Sequence, residues 1–153
     1  MSGRPPLPLT PVKARSGRGA QTHVAMSEQP ILASGTVRVM ALADETKYTP
    51  NGIVSRTVFR ADRQRVVLFG FAAGQELSEH TTTSHALVQI LTGRSEWTLG
   101  TTARTLQAGE LLYMPPNLPH SVRALEPFSM LLTLLPTAPT PPPLPPIGSP
   151  PSI

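Results

Sequence analysis

The chain has 153 residues, enough for one domain of ordinary size and too few for two. It contains no cysteine, which excludes disulfides, thiolate nucleophiles and zinc–thiolate sites, and it has no apolar run of about 18 residues that would span a bilayer. The formal charge of +4 comes from the first 25 residues, which hold Arg4, Lys13, Arg15 and Arg18, while the other nine Lys and Arg are balanced by nine Asp and Glu. A nucleic-acid binder would carry its positive charge on the folded unit, so no nucleic-acid partner is expected.

In chain order, residues 1–26 mix prolines, glycines and basic side chains with few large apolar ones, the composition of a disordered basic tail. This Arg-containing start is poor in acidic residues, as transit peptides are, but its prolines disfavour an amphipathic helix, and Met26 is an alternative translation start. No continuous apolar core of a secretory signal is present, and with the lack of cysteine a cytoplasmic location is expected. Residues 27–135 form the foldable unit. Residues 136–153 hold nine of the 19 prolines, and a fixed φ and missing N–H keep such a stretch out of helices and central strands, so a disordered proline-rich tail is expected there.

Within 27–135 the pattern is short apolar runs or strict alternation, broken by turn residues every eight to twelve positions. Val37 to Leu42 is the first expected strand, followed by a loop ending at Pro50-Asn51-Gly52. Ile53 to Arg60 alternates, with Ile53, Ser55, Thr57 and Phe59 on one face and Val54, Arg56, Val58 and Arg60 on the other. Further strands are expected at 65–71, 86–92, 96–99, 104–106, 111–114, 120–124 and 128–134. Arg60, Arg63 and Arg65 cluster around an Ala61-Asp62 turn and read as a solvated loop. No twelve-residue stretch keeps a 3.6-residue stripe. The chain is therefore all-β, and so many short strands suit a double-sheet jelly-roll barrel, an architecture that manages its own edges.

Two stretches go beyond a generic all-β reading. From Gly74 the sequence runs Gly-Gln-Glu-Leu-Ser-Glu-His80-Thr-Thr82-Thr-Ser-His85-Ala86, and Gly93 follows six residues after Ala86. From Gly109 it runs Gly-Glu-Leu-Leu-Tyr113-Met114-Pro115-Pro-Asn117-Leu-Pro-His120. These resemble the two cupin motifs, G-x5-H-x-H-x3-E-x6-G and G-x5-P-x-G-x2-H-x3-N. Gly109, Pro115 and His120 fall in register with the second, with Asn117 in place of a glycine at a turn where asparagine tolerates a left-handed backbone. Gly74, His80 and Gly93 fall in register with the first, whose second histidine is replaced by Thr82 and whose glutamate is replaced by Ala86. The resemblance, to short single-domain bacterial cupins of mostly unassigned activity, covers about residues 36 to 135. It implies the jelly-roll barrel and, from what is common among cupins, a homodimer.

The spacing has a physical sense of its own. His80 is expected to begin a strand with Thr82 on the same face, and His120 to begin a neighbouring strand, so that two imidazoles point into one barrel. Two neutral imidazoles make half of a metal site, for a divalent transition ion among Fe, Mn, Ni, Zn and Cu that the residues do not distinguish. The competing reading is a pair of buried histidines bonded to backbone or to each other, because a bound metal ordinarily takes three or four protein donors. His85 is a weaker third candidate, since alternation with Ala86, Val88 and Ile90 sends it outward. Thr82, Ala86, Val88, Tyr113 and Met114 are the expected pocket residues, Tyr113 and Met114 having opposite phase on one strand. Trp97 reads as a core or interface anchor, and Leu87 and Leu91 as an outer apolar stripe that a second subunit would cover.

Three functions from different classes fit these residues. The first is a metal-dependent enzyme acting on a small molecule through His80 and His120, for which the resemblance implies oxygenase or isomerase chemistry on a small carbonyl or phenolic substrate. In the second, a metal-free module binds or senses a small ligand in an apolar pocket. The third is a scaffold whose Pro141-Pro142-Pro143-Leu144-Pro145-Pro146 stretch docks on an aromatic groove elsewhere. No catalytic residue is singled out by the sequence.

Overall fold

The computed structural model describes residues 11–15, 21–27 and 29–139. Among them, eleven strands and one short helix follow in the order β1 (Pro11–Arg15), β2 (Gln21–Ser27), α1 (Leu42–Glu45), β3 (Gly52–Ala61), β4 (Gln64–Phe71), β5 (Glu76–His80), β6 (His85–Thr92), β7 (Arg94–Leu99), β8 (Thr102–Gln107), β9 (Leu111–Met114), β10 (His120–Ala124) and β11 (Phe128–Leu135). They build two sheets, one of seven strands in the order β1-β2-β3-β4-β11-β6-β9 and one of four in the order β5-β10-β7-β8. All neighbours are antiparallel except β2 and β3. From β4 to β7, and again from β8 to β11, consecutive strands alternate between the two sheets, as in a jelly roll.

The alternation of the sequence explains the two inner faces. Ala86, Val88 and Ile90 on β6, Val122 and Ala124 on β10, and Met114, Met130, Phe71 and Phe128 are all buried and form one core cluster. Phe71 stacks on Phe128 with ring centroids 4.4 Å apart. Trp97 is buried in the same cluster, and its indole N–H donates to Ser95 Oγ at 3.0 Å, which satisfies the one polar group that its burial would otherwise orphan. Gly93, between β6 and β7, has φ +74°, and a Cβ there would lie 2.2 Å from the Pro127 carbonyl oxygen. Only glycine satisfies both demands at this crossing.

Three expectations need correction. Residues 11–15 and 21–26 of the segment read as a disordered tail lie in strands β1 and β2, and β2 lies parallel along β3 with Val24 opposite Ile53. Composition argued for a tail, but the β-branched Thr22 and Val24 with Met26 have local strand character that the surrounding polar residues outweigh in any average. The rest of that segment, and residues 140–153 of the expected C-terminal tail, lie outside the described residues. Second, Val37 to Leu42 is not a strand. With β2 paired to β3, and the Ile31 and Leu32 amides bonded to the Thr57 and Val58 carbonyls, the β3 edge is taken. The chain instead carries Val37 and Val39 at 96% and 93% exposure and enters α1.

Third, the alternation in β3 breaks at a bulge between Thr57 and Phe59, where Val58 is buried and Phe59 half-buried. Beyond α1 the chain lies over the outer face of the large sheet. Glu45 pairs with Arg56 at 2.8 Å, and Tyr48 OH meets Thr92 Oγ1 at 3.2 Å. This cover explains why Leu68, whose partners Arg56 and Leu131 share its outward phase, is only 2% exposed. No helix of the described residues is long and apolar enough to cross a membrane.

Candidate functional site

His80 is the last residue of β5 and His120 the first of β10, and the two strands run antiparallel with these residues as direct cross-strand partners. Residues directly opposite one another in an antiparallel pair project to the same side. His120 shares its phase with the buried Val122 and Ala124, so both rings turn toward the inner face of the sheet. The ring centroids lie 4.3 Å apart, inclined at 58°. Burial divides the pair: His120 is 6% exposed, while His80, on the edge strand, is exposed.

The two imidazoles are held alike. His80 Nδ1 lies 2.7 Å from the Ser78 carbonyl oxygen, and His120 Nδ1 lies 2.8 Å from the Leu118 carbonyl oxygen. A carbonyl oxygen only accepts, so both Nδ1 atoms carry hydrogen, and in the neutral rings both Nε2 atoms keep a free lone pair. Burial, the larger cause, together with the neighbouring His80, pulls the His120 pKa below its ordinary value near 6.5, against the opposing pull of the Leu118 carbonyl. The buried ring is thereby kept in the lone-pair form around neutral pH.

Around this pair the expected site residues are placed as follows. Thr82 is not on a strand with His80, because β5 ends at His80 and Thr82 sits in the turn before β6. Its hydroxyl oxygen accepts from the Ser84 amide at 3.2 Å, and its carbonyl accepts from the Asn117 amide at 2.7 Å. That second bond ties the turn after His80 to the turn before His120. Asn117 adopts φ +65°, the left-handed conformation that its place in the motif requires. Ala86, Val88 and Met114 are buried in the core cluster, so the position of the expected glutamate is a methyl group facing apolar neighbours.

Tyr113 does not line the interior. It is 53% exposed on the outer face, opposite Leu87 of β6. The Leu111–Met114 strand puts Met114 inward, and strict alternation then turns Tyr113 out. His85 is on that outer face as well, its Nδ1 2.9 Å from Tyr113 OH and its ring stacked on the phenol. Neither belongs to the His80–His120 pair.

The donor chemistry suits a two-point hold on a divalent ion: two nitrogen donors, each oriented by a carbonyl behind it, which is how metal-ligating histidines are commonly fixed. Among the described residues no group of three or more His, Cys, Asp or Glu comes together. The tautomers were not legible from motif spacing, since they depend on the backbone conformation at residues 78 and 118. A separate polar concavity of about 360 Å³ lies on the opposite, outer face of the four-stranded sheet, where Glu76, Glu79, Glu96, Thr98, Ser121 and Arg123 meet. It is a solvated groove distinct from the histidines.

Residues 67–134 match the family model described as a cupin domain. A conserved protein of unknown function from Streptococcus pyogenes is similar in structure, with a TM-score of 0.64 and 27% identity over 73% of this chain and 98% of its own. A cupin superfamily protein from Desulfitobacterium hafniense gives a TM-score of 0.63 and 26% identity, covering 67% of this chain and 94% of its own. A cupin 2 conserved barrel domain protein from Leptotrichia buccalis shares 29% identity with a TM-score of 0.58, over 61% of this chain and 45% of that protein. No curated protein matches the chain by sequence.

Proposed function

We propose, from the match of residues 67–134 to the cupin-domain model and the pairing of the two histidines, that the barrel holds a divalent transition-metal ion between the Nε2 atoms of His80 and His120 and acts on a small molecule at that ion. The observation that carries this reading is the matched pair of Nδ1–carbonyl hydrogen bonds, which commits both histidines to the same free nitrogen. A bound ion would supply Lewis acidity toward an oxygen donor of the substrate. The chain's own residues do the rest. Ser78 and Leu118 fix the rings through their carbonyls, the low pKa of His120 keeps it neutral, and the exposure of His80 leaves the pair open to an incoming molecule.

The test is the metal content of the full chain, purified without a metal-binding tag, by elemental mass spectrometry before and after reloading with zinc. Near-stoichiometric metal that is lost in both His80→Ala and His120→Ala supports the reading. Metal content near zero after reloading, or unchanged in both variants, sinks it.

A second reading, a metal-free module that binds a small ligand, is favoured by one specific observation: Thr82 and Ala86 occupy the positions of two further expected donors, and the Thr82 hydroxyl is engaged by Ser84. The two free Nε2 atoms then act as hydrogen-bond acceptors for a ligand hydroxyl or amide. Here a small-molecule thermal-shift screen should find stabilising ligands in chelator-treated protein, and the His80→Ala variant should lose them.

A further inference from the structure

We propose that Arg104 is the anion-binding residue of the histidine site and that the molecule held there is a small hydroxy acid, its carboxylate on the guanidinium and its hydroxyl at the His80–His120 pair. The inference rests on that pair as the polar anchor proposed above, with or without a metal ion between the rings.

The inner face of the four-stranded sheet is ordered in rows by strand register. One row crosses from His80 to His120, Leu99 and Thr102. The next crosses from Leu77 to Val122, Trp97 and Arg104. Val122 and Trp97 are buried in the core, and Leu106, two residues after Arg104, packs against the same core. Alternation along β8 therefore gives Arg104 the inward phase. Its guanidinium is the one permanent charge in the two rows.

Three features make this cation a ligand-binding group. Strand β8 is the edge of its sheet, so Arg104 is exposed while its phase keeps it on the side of the histidines. The ion pairs among the described residues engage Arg38, Arg56 and Arg94, and Arg104 is in none of them. Between the two polar ends the sheet presents an apolar side chain, the half-buried Leu99, which stands next to His120 in its row. A guanidinium is a planar fork of donors that matches a carboxylate, and a hydroxyl can donate to a free Nε2 lone pair or offer its oxygen to a metal ion. By strand geometry the α-carbons of His120 and Arg104 are about 10 Å apart across the sheet and about 7 Å along it. The arginine stem and a ligand body of a few carbons fill that span together, with the body over Leu99. An inward charge on an edge strand also discourages edge-to-edge pairing. That role requires no ligand, so a binding measurement separates the two.

The probes are 4-hydroxybenzoate and 4-hydroxybutyrate, each compared with its neutral amide, titrated by calorimetry into the full chain in zinc-loaded and chelator-treated form. At least one acid should bind, on the order of tenfold or more tightly than its amide. In Arg104→Gln, which keeps most of the stem and loses the charge, the acid should fall to the affinity of the amide while the amide is unchanged. Equal affinity of acid and amide in the unmodified chain overturns the proposal. So does a preference for the acid that survives Arg104→Gln, and so does the failure of both acids to bind. A preference for the acid that needs Arg104 in a protein that retains no zinc leaves this proposal standing and removes the metal. Zinc held through both histidines with no preference for the acid does the reverse.

Discussion

His80 and His120 face each other across the β5–β10 ladder, one closing its strand and the other opening its own, with ring centroids 4.3 Å apart. Their equivalence in hydrogen bonding and their inequality in burial lead to separable consequences. His120→Ala removes a buried ring and leaves the Leu118 carbonyl without its donor, a loss of about 1–3 kcal/mol. His80→Ala removes an exposed ring and should stay within about 0.5 kcal/mol. Urea denaturation of the chelator-treated variants measures both, and equal costs would contradict the asymmetry.

Acid should destabilise the metal-free protein through His120. Its folded pKa lies below its ordinary value near 6.5, mainly because burial disfavours the charged ring, so the unfolded chain takes up a proton more readily. The stabilising contribution is complete above about pH 6.5 and is lost as the pH falls from there through the lower folded value. Urea midpoints followed from pH 7.5 to 5 should fall more steeply for the unmodified chain than for His120→Asn. Parallel curves would show that His120 does not carry the dependence.

Asn117 should accept glycine and reject alanine. At φ +65° glycine has no Cβ penalty, whereas alanine meets the left-handed cost of about 1–2 kcal/mol. The Asn117 amide also holds the Thr82 carbonyl, so strain here loosens the turn that follows His80. A thermal melt that drops for Asn117→Ala and not for Asn117→Gly is the expected result.

Thr82→His adds an imidazole at the motif position that lacks one, in a turn already tied to the loop before His120. On the metal reading it should raise the affinity for cobalt(II), followed by its visible absorption, on the order of tenfold or more as the donor number goes from two to three. No change in affinity would place residue 82 outside the coordination sphere.

The sequence by itself determined the all-β class, the jelly-roll barrel and most strand positions from β3 onward, because alternation and turn residues are local signals. It placed Asn117 in a left-handed turn and turned His85 outward by phase alone. It singled out His80 and His120 by spacing. Strands β1 and β2 were hidden in a stretch whose average composition is that of a tail, and Val37 to Leu42 looked like a strand because its alternation is genuine.

Only the tertiary structure decided which sheet edge was already taken, and so where Val37 and Val39 were left. It also decided that β5 stops at His80, which puts Thr82 in a turn and makes His80 the partner of His120. Tyr113 faces outward because Met114 faces inward, a choice between two phases that the four-residue β9 strand does not make alone. In each case the period of two sets which residues share a face, while the choice of face, neighbour and strand end belongs to pairing between segments far apart in the chain.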